Sequence, residues 1–338
     1  AKRDEAGARV LWELPHMFDS SQVRVDQFEA TSKDGTKVPY FLVRKGAGGS
    51  SLEATPTLLY GYGGFRISLQ PGYTATVGAG WIERGGAYAV ANIRGGGEFG
   101  PGWHQSALRS DRARAYEDFE AVAEDLIARQ ITEPGMLACR GGSNGGLLVG
   151  NMLTRRPDLW GAVVCAVPLL DMKRYTKLLA GASWMAEYGD PDKPEDWAFL
   201  KKYSAYHQLD PKGLAPHTGA AYKYPPLLMT TSTRDDRVHP YHARAFVKRL
   251  EDLADAAGPT AGEEPPAPGE EGRGQAKKSG DSSDLSGGPG KAGSGQVFYY
   301  ENMEGGHGGA ADSKQQAFMT TLFLDFLEAT IGKGRLDK

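Results

Sequence analysis

The run Cys139–Gly150, CRGGSNGGLLVG, sets one serine among five glycines. Glycine is entropically costly in regular structure, so such clustering marks a turn that larger side chains would block. Gly141-Gly142-Ser143-Asn144-Gly145 fits G-x-S-x-G, and its flanks read as a strand over Met136–Cys139 and a helix over Leu147–Arg155. That is the setting of a nucleophile elbow. The tight strand-to-helix turn lifts the hydroxyl above the sheet edge, beside a helix N-terminus that favours developing negative charge. A glycine-rich turn with an incidental serine shares the bare pattern; the two flanks favour the chemistry. A serine hydroxyl attacks only when a base takes its proton. In this architecture an acid and then a histidine follow, each after a later strand. Thr230–Pro240, TTSTRDDRVHP, supplies Asp235 or Asp236 after a strand over Leu227–Thr231. Glu301–Gly309, ENMEGGHGG, supplies His307 after a strand over Val297–Glu301. His16, His104, His207, His217, His239 and His242 occupy less apt places and read as surface or hydrogen-bonded histidines. The tetrahedral intermediate needs donors for its oxyanion. The backbone N–H of Asn144 is one; Leu58–Phe65, LLYGYGGF, offers a second through a backbone N–H or the Tyr62 hydroxyl.

These residues need a frame. Apolar, β-branched and aromatic runs predict strands over Val23–Ala30, Val38–Arg44, Thr57–Tyr62, Ala87–Ile93 and Ala162–Val167, besides the three already named. The first two are joined by KDGT, Lys33–Thr36, whose Asp-Gly pair is hairpin chemistry. Tyr116, Phe119, Val122, Ala123, Leu126 and Ile127 share one helical face, and further helices are expected over Tyr241–Leu253 and Lys314–Ile331. Strand and helix then alternate. This predicts the α/β class: an α/β-hydrolase fold with a mostly parallel, twisted sheet of about eight strands and helices on both faces. The expected organisation is a linker segment over 1–22 and one domain over 23–338. Within it, 256–295 is rich in Gly, Pro, Ser, Glu and Lys and reads as a disordered insertion, which slowly growing loop-closure cost allows the fold to carry.

The bulk numbers narrow the function. With 338 residues and a net charge of −3, the chain has ample core material and no signature of a nucleic-acid partner. Cys139 and Cys165 sit in apolar runs and read as buried free thiols, not a metal site or disulfide. No run is fit to span a membrane and no leader-like segment is visible, so a cytoplasmic compartment is the expectation. The chain opens on Ala1 without methionine, as a fragment would. Gly95–Gly100 fits G-x-G-x-x-G after a strand, but Pro101, Gly102 and Trp103 follow where a dinucleotide fingerprint needs a helix, and no cofactor is expected.

Taken together, YGYGGF, ANIRGGGEFG, GGSNGGLLVG, RPDLWG, DDRV and GHGG, in that order from about Asp26 onward, resemble the prolyl oligopeptidase family of serine peptidases. The resemblance implies Ser143 as nucleophile, His307 as general base and then acid, and Asp235 as the residue that orients it, with Asp236 a bystander. It implies Tyr62 as an oxyanion donor beside the Asn144 N–H, and Arg237 as a ligand for a substrate carbonyl. It also implies a proline pocket in which Trp184 stacks on the ring and Phe65, Tyr188, Val238 and Leu169 form walls. The partners so implied are short peptides, together with a β-propeller domain of which this chain carries no blade repeat. Glu187 lies close to Trp184 and leaves a basic-residue preference open. An esterase on the same triad, and a hydrolase-fold binding module without turnover, are the remaining alternatives.

Overall fold

The computed structural model describes residues 15–46, 54–210, 224–257 and 296–336. Its strands are β1 (Val23–Thr31), β2 (Lys37–Lys45), β3 (Thr57–Tyr60), β4 (Ala87–Ala91), β5 (Leu137–Gly142), β6 (Ala162–Ala166), β7 (Leu227–Ser232) and β8 (Val297–Asn302). They form one eight-stranded sheet in the order β1-β2-β4-β3-β5-β6-β7-β8. β1 and β2 make the expected hairpin, and Gly35 takes the left-handed conformation (φ 86°) that its turn demands. β2 also pairs antiparallel with β4, whereas every neighbouring pair from β4 to β8 is parallel. Parallel neighbours need long crossovers. The main crossover helices are α1 (Ala113–Ala128), α2 (Asn144–Arg155) and α3 (Tyr241–Ala257), and α4 (Ser313–Leu327) follows β8.

Side chains alternate across the sheet, so each strand feeds two cores. Leu59, Cys139, Val163, Cys165 and Met229 pack with Phe119, Leu148 and Phe246 of α1, α2 and α3. Their neighbours Leu58, Ala138, Val164 and Leu228 pack on the other face with Trp81, Ile82 and Phe323, Phe326 and Leu327 of α4. Fully burying one such large side chain contributes about 1.5–3 kcal/mol. Both cysteines are free and buried, and burial pushes both thiols up, as inert core groups.

Several boundaries differ from expectation. α2 begins at Asn144 rather than Leu147, because Gly145 and Gly146 form its first turn; a Cβ on Gly146 would lie 2.7 Å from Pro168. β5 runs on through Gly142, held by pairing of Gly141 and Gly142 with Cys165 and Ala166. β3 stops at Tyr60, which frees Gly61 and Tyr62 for the loop above the sheet. α4 ends at Leu327 and continues as a wider helical turn over Glu328–Gly332. The insertion expected over 256–295 lies outside the described residues from 258 onward, its first two residues ending α3. Of the 1–22 segment, 1–14 lies outside them, and Phe18 stacks on Tyr73 at 5.2 Å.

Candidate active site

Ser143 sits between β5 and α2 with φ 58° and ψ −117°, a strained conformation for a residue with a Cβ. The turn is tight enough that a Cβ on Gly141 would lie 2.1 Å from the Gly145 carbonyl oxygen. The Ser143 N–H donates to Ala166 O at 3.0 Å, and its side chain makes no capping bond to α2. The hydroxyl is thus left free for other partners.

β7 ends at Ser232, and the following turn buries Asp235 while leaving Asp236 exposed. Asp235 Oδ1 accepts the N–H groups of Arg237 and Val238, each at 2.9 Å, which fixes the carboxylate. Its oxygens lie 2.8 and 3.0 Å from Nδ1 of His307. Burial and contact therefore separate the two aspartates that the sequence leaves side by side. The His307 loop is fastened by Asn302, at the end of β8: its amide donates to Gly309 O at 2.9 Å, and its Oδ1 accepts from the N–H groups of Glu304 and Gly305.

A cleft of about 570 Å³ joins these parts. Tyr62, Phe65, Ser143, Asn144, Leu169, Trp184, Tyr188, Arg237, Val238 and His307 line it, so every residue named from the sequence reaches the cleft except Asp235, which stands behind His307. Ile67 and Ser183 also line it, and carried no signal in the sequence. Tyr188 and Phe65 meet edge to face at 5.7 Å. Burial raises the Tyr62 phenol, against the opposing pull of Arg112 and of a hydrogen bond with Ser143. Tyr62 therefore stays protonated at neutral pH and is a donor.

Below the cleft runs a buried polar network. Asn144 donates through Nδ2 to Tyr62 O at 2.7 Å, and its Oδ1 accepts from the Tyr188 hydroxyl at 2.7 Å and from Arg112. Arg112 also donates to Glu187 Oε1 at 3.0 Å. The same oxygen accepts the Phe65 N–H at 3.0 Å, and Oε2 lies 2.8 Å from His104 Nε2. Arg66 donates to His104 Nδ1 at 3.3 Å, so Nε2 carries the proton and donates to Glu187. The network ties the residue after the nucleophile to the Tyr62 loop. Both Glu187 carboxylate oxygens are engaged in this network, and Glu187 does not line the cleft.

Two of the other histidines meet polar partners away from the cleft. His242 is buried and its Nδ1 accepts the Asp171 N–H at 3.1 Å, while His207 Nδ1 lies 2.8 Å from Ser204 Oγ. His217 lies outside the described residues. The G-x-G-x-x-G segment needs one correction: a short helix, Pro101–Gln105, does open directly after it. Two of its glycines sit where a Cβ would clash with the Tyr62 loop. A Cβ on Gly95 would meet Gly63 O at 2.5 Å, and one on Gly97 would meet Arg66 O at 2.2 Å, so the segment props the Tyr62 loop. Among the described residues no cluster of potential metal ligands occurs, and no helix is long and apolar enough to cross a membrane.

A model of the prolyl oligopeptidase family matches residues 75–260. The chain is 47% identical over 305 residues to an uncharacterized peptidase, y4nA, of Sinorhizobium fredii, covering 90% of this chain and 35% of that one. It is 40% identical over 249 residues to a prolyl endopeptidase of Elizabethkingia miricola, covering 73% of this chain and 34% of that one. A solved structure of a post-proline cleaving enzyme from Rickettsia typhi superposes with a TM-score of 0.76 at 37% identity, over 96% of this chain and 40% of that one. The chain thus spans about a third of the length of the curated relatives it matches. With the eight-stranded sheet of an α/β-hydrolase beneath the serine elbow, the chain belongs to the prolyl oligopeptidase family.

Proposed function

We propose that this chain carries the catalytic site of a serine peptidase that cleaves short peptides on the carboxyl side of proline. One observation carries the reading: the described cleft joins Ser143 and His307 to aromatic and aliphatic walls, and no carboxylate lines it. A flat, uncharged ring suits such a slot, with Trp184 as its stacking platform. A guanidinium would find no counter-charge there, and Arg237 would repel it.

In the proposed reaction Ser143 Oγ attacks the scissile carbonyl and its proton passes to His307 Nε2. Asp235 holds Nδ1–H and stabilises the imidazolium. The developing oxyanion is met by the Asn144 N–H, which as the first residue of α2 lacks an intrahelical acceptor, and by the Tyr62 hydroxyl. Arg237 binds a substrate carbonyl upstream of the scissile bond. His307 then returns the proton to the leaving amine, and water releases the acyl group by the same route. A β-propeller elsewhere in a longer protein is part of this proposal, as the partner that would restrict substrates to short peptides.

Trp184→Ala tests the pocket. It is expected to lower hydrolysis of a proline-containing chromogenic peptide far more than that of a small activated ester. Equal losses on both substrates would make Trp184 a packing residue and overturn the proline assignment.

A further inference from the structure

Arg94, Arg112 and Arg155 each bury a guanidinium against a carboxylate, from Asp118, Glu187 and Glu120 respectively. Arg140 does not. It projects from β5 on the α4 side of the sheet, shared with Ala138 and Val164, and its guanidinium stacks over the Phe323 ring at 4.2 Å. Its nearest ionisable neighbours are the phenols of Tyr60, its cross-strand partner, and Tyr88, and burial pulls its pKa down. Among the described residues no hydrogen bond or ion pair reaches the guanidinium. Arg140 is only half-buried, but even partial withdrawal of a cation from water without a counter-charge is unfavourable.

A cavity of about 90 Å³ lies against Arg140. At roughly 30 Å³ per water, it has room for a few waters or one small ion. Its other walls include Thr230, Gln316 and Thr320, which bring hydroxyl and amide donors, and no acidic side chain lines it. Gly308 and Gly309, directly after His307, also line it, yet the cavity shares no lining residue with the cleft. A cation, an apolar stacking ring and neutral donors around a small, partly open pocket are the complement of a small anion.

We propose that this cavity binds a small free anion of carboxylate size, held by Arg140 and the donors of Thr230, Gln316 and Thr320. The anion supplies to the half-buried Arg140 the counter-charge that carboxylates of the fold give to Arg94, Arg112 and Arg155.

Sodium formate is the probe, with thermal unfolding as the readout and ionic strength held constant by a bulky sulfonate. The site predicts a rise in Tm that sets in near the Kd for formate and then grows on the order of 2–3 °C for each tenfold increase. Arg140→Met should abolish the response and melt no lower than the wild type without formate, since it removes an uncompensated charge. Thr320→Glu, on the more exposed helix α4, supplies a carboxylate from within; it should raise the anion-free Tm and also abolish the response. An unchanged Tm across the formate series, or an equal rise in either variant, would overturn the proposal, the latter showing a general salt effect. The readout does not involve hydrolysis, so its outcome is separate from that of the peptidase reading.

Discussion

Removing Arg112 is the sharpest test of the network beneath the cleft. Arg112 has no solvent exposure and Glu187 is 5% exposed, so Arg112→Met leaves a buried carboxylate with only the Phe65 N–H and His104 as partners. Breaking such a pair from one side costs about 3–5 kcal/mol. At about 2–4 °C per kcal/mol, as for domains of 150–250 residues, Tm should fall by roughly 6–20 °C. Adding Glu187→Gln removes the stranded charge while keeping an acceptor for Phe65. The double variant should recover part of the loss, giving a coupling of about 1–3 kcal/mol in a double-mutant cycle read by urea unfolding. Asn144 also loses a donor to Oδ1, so hydrolysis by Arg112→Met should lose kcat with little change in KM. A single-variant cost below about 1 kcal/mol, or losses that simply add, would refute the claim that the pair is held together by desolvated charge.

Two further outcomes follow from the geometry. Tyr62→Phe keeps the ring but removes the proposed oxyanion donor, and should lower kcat roughly 10²–10³-fold in steady-state assays; an unchanged kcat would leave Tyr62 a wall residue. Burial holds the His242 imidazole down to about 4 from the ordinary histidine value of 6.5, so between those values the unfolded chain takes up a proton that the folded chain refuses. His242 therefore contributes stability that is fully present above about pH 6.5 and is lost towards pH 4, about 3 kcal/mol in all. His242→Asn, which can still accept the Asp171 N–H, should flatten the unfolding free energy over that window; an unchanged slope would contradict the assignment.

The residues proposed for the chemistry were legible because each sits in a short local signal. Ser143 is framed by glycines that the elbow needs, and Asp235 and His307 follow strands whose apolar runs are plain. The choice of Asp235 over Asp236 is not local, because it depends on which side chain the turn buries against His307. The pocket walls were reached through the family resemblance rather than from periodicity. The Arg112–Glu187–His104 network was out of reach: its members lie 75 and 83 positions apart and meet only when the sheet brings their loops together. α2 was expected too late because glycine is a poor helix former, a preference that the close approach of Pro168 to Gly146 overrides. Asn302 looked like the end of a strand, and its role depends on the path of the loop it fastens.

The central claim is that Ser143 is the nucleophile. The direct measurement is turnover of a short chromogenic peptide with proline before the leaving group, by the wild type and by Ser143→Ala, with unfolding curves to show that both are folded. The account predicts turnover by the wild type, none above background by the variant, and matching stabilities. Comparable turnover by a folded Ser143→Ala would contradict it.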